Sequence, residues 1–160
     1  MKLNFGFIEE WKNLEQVQKS INGGCSIVFY AENKSSMNHF KLLLLELTEV
    51  RNLQVCYVTS IKNDPVFSLK NKNIFAYYIG DGITRTKFFL TLKAKILIMD
   101  MPDLETFHIK RSKVYPVHYV YIFHSMFSIH SYLRKGAIDH YDTIFCVGEH
   151  HEKEILETEK

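Results

Sequence analysis

Apolar and polar positions alternate along the chain in blocks of two kinds. Residues 25–30 (CSIVFY), 53–60 (LQVCYVTS), 74–79 (IFAYYI), 95–100 (KILIMD), 117–123 (VHYVYIF) and 143–148 (TIFCVG) are short runs dominated by β-branched, aromatic and aliphatic residues. Runs of that kind read as strands buried on both faces. Between them lie stretches with helical spacing. In residues 7–20 the apolar positions are Phe7, Ile8, Trp11, Leu14 and Val17, a stripe on one helix face. Asn22-Gly23-Gly24 then breaks the pattern. A second helix is predicted over residues 37–50, with Ser35 or Ser36 as its N-cap and Arg51-Asn52 as its end. A third covers residues 83–93 after the Gly80-Asp81-Gly82 turn, and a fourth residues 149–160. Residues 61–73 read as loop with one helical turn, residues 104–116 as irregular, and residues 125–142 as mixed with short helical pieces.

Strand, helix and strand within about 35 residues imply a right-handed parallel crossover. Six such strands alternating with helices predict an α/β fold: a three-layer, Rossmann-like domain with a mostly parallel sheet of about six strands. The 160 residues suit one domain, and no linker-like composition divides them, so residues 1–160 are expected to form a single unit with residues 1–22 as an N-terminal helical extension. Sheets of this kind bind ligands in the loops after the carboxyl ends of their strands. Those loops fall at residues 31–36, 59–63, 80–82, 100–103, 124–125 and 148–151.

Composition narrows the function classes. A 46% hydrophobic content excludes intrinsic disorder, and a net charge of +2 gives no electrostatic case for nucleic acid as a partner. Acidic residues by position 9 and the lack of a long apolar run argue against a signal peptide or membrane span. Three cysteines, Cys25, Cys56 and Cys146, sit in apolar runs without CxxC spacing, which reads as reduced core thiols in a cytoplasmic protein. The basic positions Lys110, Arg111 and Lys113 leave room for peripheral contact at the inner membrane face.

Five of the eight histidines fall between Tyr119 and Ile155. His124 ends the fifth predicted strand, where an imidazole can serve as a base near neutral pH or simply bond a loop. Asp100 ends the fourth strand as a polar group of the same edge or as a loop cap. His150 and His151 open the last helix, where they either help hold a phosphate at the free N–H groups or lie in solvent. The spacing of His124, His130, His140, His150 and His151 fits no zinc ligand set, HExxH included, so no metal is expected. Walker A, GxGxxG and GxSxG are all absent, and Gly80-Asp81-Gly82 is only half of a dinucleotide fingerprint. No cofactor is expected.

One stretch is more specific. An apolar strand ending in His124 is followed by Arg134-Lys135-Gly136, then by His140-Tyr141-Asp142 leading into TIFCVG, then by a polar-headed helix. That order of features resembles the CDP-glycerol glycerophosphotransferase family, of the teichoic-acid polymerase type. SIVFYAENKSSMNHFKLLLLEL and KILIMDMPDLETFHIKRS fit the first half of the family in the same order. The resemblance implies one half of a GT-B architecture, the acceptor-side N-terminal domain. His124 then falls at the position of the base that activates the acceptor hydroxyl. Ser125 stands where the common form has Gly, and Ser125, Asp100, His150 and His151 become candidate substrate-binding residues. The implied partners are CDP-glycerol or a related nucleotide-activated donor, held by a C-terminal domain expected outside this chain, and a polyol-phosphate or glycan acceptor. Alone, as a fragment, split subunit or remnant, the domain is expected to be inactive in bacterial surface-polymer synthesis, and a partner domain or homo-oligomer is expected to cover its apolar surface. The rival expectation is a non-catalytic Rossmann-like binding or interaction module.

Overall fold

In the computed structural model, which describes residues 5–158, one sheet of six parallel strands runs through the molecule in the order β3-β2-β1-β4-β5-β6. The strands are β1 (Ile27–Ala31), β2 (Val55–Thr59), β3 (Ile74–Tyr78), β4 (Ile96–Met99), β5 (His118–Ile122) and β6 (Thr143–Phe145). The helices are α1 (Phe5–Asn22), α2 (Ser36–Leu45), α3 (Ile83–Thr91) and α4 (Glu149–Thr158). The expected α/β, Rossmann-like architecture is therefore present. Residues 1–4 of the expected N-terminal extension, and the last two of the expected closing helix, lie outside the described residues.

Side chains alternate across the sheet with period two. Val28 and Tyr30, Cys56 and Val58, and Leu97 and Met99 pack with Leu14 and Val17 of α1 and Phe88 and Phe89 of α3. Phe29, Tyr57 and Ile98 pack on the opposite face with Met37, Phe40 and Leu44 of α2. Both faces are covered, which is why these strands read as solid apolar runs rather than alternating ones. Each fully buried large side chain contributes on the order of 1.5–3 kcal/mol, so these two layers dominate the stability. The helix α1 belongs to the first layer: its Asn13 donates to the carbonyl of Tyr78 at 2.8 Å, and Ser20 bonds the Tyr77 hydroxyl at 2.7 Å.

Two local expectations need correction. The second helix does not run regularly to Val50; its last turn, Glu46–Val50, widens to a π-turn, and Asn52 leaves it with φ of 50°. The Asn73 side-chain amide holds this end by donating to the Thr48 carbonyl at 2.8 Å and the Asn52 side chain at 2.9 Å. Of the two expected N-caps, Ser35 takes the position, but neither side chain caps α2. Ser35 makes no side-chain cap bond; instead it donates its N–H to Asn33 Oδ1 at 3.0 Å. The Ser36 hydroxyl goes elsewhere, as described below.

Two long connections flank β5 and lock to each other. Arg111, before β5, donates to both oxygens of Asp142, at 2.8 and 3.2 Å, and to the carbonyls of His140 and Val117. Its guanidinium also lies 4.4 Å from the centre of the Tyr119 ring. Asp142 in turn accepts the Tyr119 N–H at 2.7 Å. Arg134 pairs with Asp103 at 2.6 Å and donates to Thr106 at 2.7 Å. Residues 100–117 and 124–142 therefore have few regular elements yet a defined path.

Two tests follow from this packing. Gly80 has φ of 68°, and a Cβ there would run into the Glu10 carboxylate of α1. Gly80→Ala should cost about 1–2 kcal/mol in urea unfolding, and adding Glu10→Ala should recover the part due to the clash. Partial burial works to raise the Asp142 carboxyl, but the Tyr119 N–H and the Arg111 guanidinium outweigh it and hold the group below its ordinary 3.8. A folded value below the unfolded one adds stability above pH 3.8 that is lost as pH falls through the folded value. Asp142→Asn should thus cost about 1 kcal/mol at neutral pH, a modest figure because the pair is a third exposed. That deficit should shrink in melts run progressively below pH 4 if the depressed carboxyl is the cause.

Candidate functional site

The strand order reverses its direction of growth between β1 and β4. From β1 the chain moves outward through α2 to β2 and β3; from β3 it crosses back through α3 to β4 and continues to β5 and β6. A crevice at the carboxyl ends of the two central strands is where this topology exposes a site. Asp100, the residue after β4, sits there and is 4% exposed. Its Oδ1 accepts the Ser36 hydroxyl at 3.0 Å, and its Oδ2 lies 2.6 Å from His39 Nδ1. Ser36 and His39 are three residues apart in α2, so both fall on one helix face. They reach over the end of β1 to its neighbour β4.

A carboxylate only accepts. Paired with Asp100, His39 therefore donates from Nδ1. His124, two residues past the end of β5, brings a second imidazole. Its ring stacks on that of His39, with centroids 4.8 Å apart and planes at 21°. The ring is exposed at its outer side, and neither nitrogen has a hydrogen-bond partner among the described residues. Partial burial pushes the His124 imidazole below its ordinary value of 6.5; the neighbouring His39 pushes the same way, against the opposite pull of Asp100. The result is a neutral imidazole near physiological pH, beside a second one oriented by a buried carboxylate.

The other sequence candidates lie around this centre. Ser125 accepts the N–H of Phe127 at 3.2 Å, closing a local turn. The His150 and His151 Nε2 atoms lie 3.1 Å from the carbonyl of Met126 and 2.9 Å from that of Phe127, respectively. His151 is fully buried, 4.4 Å from the Phe123 ring. These two imidazoles brace the loop that follows His124, and their hydrogen bonds do not go to Asp100 or His39. Thr59 and Asp64 bond one another at 2.7 Å, and Ser60 donates to the Gly80 carbonyl at 2.6 Å, so the loops after β2 and β3 are tied internally. The Glu10 carboxylate occupies the space over Gly80, which makes that turn hostile to a phosphate.

His39 is the residue the sequence reading passes over. It lies inside the helix that follows β1, three positions beyond the loop considered as ligand-facing. The signal available was its spacing from Ser36 in the first turn of that helix. The five C-terminal histidines do not gather. The set that does gather is His39, Asp100 and His124, with one possible ligand atom from each lying within 4.8 Å of the others. Beside it, a cleft of about 340 Å³ is lined by Glu32, Arg85, Met101, Asp103 and His108 among others. Arg85 there donates to Glu32 at 3.2 Å.

No family model matches the chain, and neither a curated protein nor a solved structure matches it. Fold and site together thus define a class, a Rossmann-like α/β domain with an Asp–His pair and a stacked histidine at its switch point. Among the described residues, no helix is long and apolar enough to cross a membrane.

Proposed function

We propose that this domain binds a hydroxyl-bearing acceptor at the carboxyl edge of its sheet and activates it for phosphoryl transfer, as the acceptor-side half of an enzyme of the CDP-glycerol glycerophosphotransferase type. The observation that carries the reading is the Asp100–His39 pair with His124 stacked on it, at the place where this topology presents a ligand. His124 is the base. Its exposed ring has both nitrogens unengaged, and the neutral form is favoured. As the acceptor oxygen attacks the donor's alcohol-bearing phosphorus, the hydroxyl proton passes to His124, the O–P bond forms and CMP departs with the electrons of the broken P–O bond. Asp100 lies close enough to favour the imidazolium that results. His39 holds the His124 ring from behind and is itself oriented by Asp100. The cleft beside Asp100, with Glu32, Arg85 and Asp103 in its wall, offers both donors and acceptors to the hydroxyls of a polyol acceptor. The exposed Met126 and Phe127, 82% and 77% accessible, sit just past the base, and they favour a covering domain or chain over this edge.

The test has two parts. Oligo(glycerol phosphate) titrated into the isotope-labelled chain should shift the ring resonances of His39 and His124. With a donor-binding domain of this enzyme type supplied, His124→Ala should lower transfer from CDP-glycerol by about 10²–10⁴-fold. Transfer undiminished in His124→Ala, or ring resonances unmoved at millimolar acceptor, would sink the assignment.

A further inference from the structure

His39, Asp100 and His124 come from three separate elements, α2 and the segments after β4 and β5, and converge to within 4.8 Å. We propose that these three side chains form a binding site for a divalent first-row transition-metal ion such as Zn²⁺, with a further coordination position open toward solvent beside the exposed His124. The donor set is the first support. Two imidazole nitrogens and one carboxylate oxygen suit zinc, cobalt, nickel or iron, whereas magnesium and calcium favour oxygen alone. Three protein ligands with a free position is the arrangement of open zinc centres.

The spacing is the second support. Bonds of about 2.0–2.2 Å to a tetrahedral ion place neighbouring ligand atoms about 3.4 Å apart. The His39–Asp100 contact is 2.6 Å and the widest separation in the set is bounded by 4.8 Å, so the required values lie between the two. The two rings lie stacked at 21°, so loading an ion requires them to turn out of the stack until both nitrogens face it. The third support is the outer shell. A ligand carboxylate is ordinarily held through its second oxygen, and the buried Ser36 hydroxyl does this for Asp100 at 3.0 Å. The fourth is the ring stack. It brings two imidazoles to a centroid separation of 4.8 Å, and the His124 nitrogens make no hydrogen bond to a described residue that would compete with an ion.

The ion goes beyond the acceptor-activating reading and does not rest on it. A nitrogen bonded to the ion cannot take a proton, so the free base and the loaded centre are exclusive states of the same atoms and are read out separately. The experiment is Zn²⁺ titration of the EDTA-stripped full chain by calorimetry, with Co²⁺ absorption as the ligand-field probe. One ion per chain should bind with a Kd of about 1 µM or tighter. His39→Ala and His124→Ala should each weaken it about 100-fold, and Ser36→Ala about 10-fold through the outer shell. His130→Ala/His140→Ala, which removes two exposed imidazoles outside the set, should leave it unchanged. His124 is exposed, so its variant should keep the parent melting temperature, and Asp100→Asn keeps the shape of the buried group. Absence of saturable binding overturns the ion site whatever the transfer assay shows. So does binding that persists undiminished in His124→Ala. Conversely, ion binding that is lost in His124→Ala while transfer in EDTA is not would overturn the base and leave the ion site standing.

Discussion

A carboxylate held almost wholly out of water at the end of β4 must find donors. Left unpaired, a buried charge costs several kcal/mol. Asp100 has two, the Ser36 hydroxyl and the His39 ring, and both belong to a helix that follows a different strand. That requirement fixes more than the carboxylate. It ties the first turn of α2 to the end of β4 through Ser36 and turns Nδ1 of His39 toward the carboxylate. Through the ring stack, it reaches the position of His124 on the next strand over. Hydrogen bonding at one buried group thus assembles three elements at the switch point, while the apolar layers above and below only hold the sheet.

The loops at this edge are ordered by a second set of polar contacts. Asp103 and Glu105 adopt φ of 67° and 69°, a region that costs non-glycine residues on the order of 1 kcal/mol or more each. The surroundings hold them there. Asp103 donates its N–H to the Ala137 carbonyl at 2.7 Å and binds Arg134, while Glu105 receives Lys110 at its carbonyl and the Arg111 N–H at its carboxylate. On the far side, α4 contributes His150, His151 and Glu154. The Glu154 carboxylate accepts the Ile129 N–H at 2.7 Å. Both loops beside the site are thereby held by contacts outside it, while Asp100 is tied to Ser36 and His39, and His124 to the His39 ring.

The fold was legible because burial on both faces writes itself as unbroken apolar runs, and all six strands were visible on that ground. Element ends were less so. The run at 143–148 became only Thr143–Phe145, since Cys146 and Val147 lie exposed beyond the last ladder bonds. The π-turn at Glu46–Val50 depends on Asn73 reaching across from before β3, a long-range contact no local period records. The same limit applied to the site. Asp100 and His124 were visible as polar residues closing apolar strands. His39 sits in a helix between Asn38 and Phe40, and only the pairing of β1 with β4 brings it to Asp100. The five histidines of residues 119–155 stand out in the sequence, whereas the segments on either side of β5 are joined to each other through Arg111–Asp142 and Asp103–Arg134.

Charge capacity links the chemistry to this geometry. At an effective dielectric constant of about 20, two unit charges at the ring separation of 4.8 Å repel by about 3–4 kcal/mol. One negative group, Asp100, lies against them. The cluster therefore accepts one positive charge readily, balanced by the carboxylate, and resists a second unless the two imidazoles share it. A proton taken from an acceptor hydroxyl satisfies the first condition. A divalent ion bound by both rings satisfies the second, because the nitrogens face a common cation instead of each carrying a proton. On the two proposals, the same stack and the same buried carboxylate would serve a one-proton base when the site is free and a three-ligand centre when it is loaded.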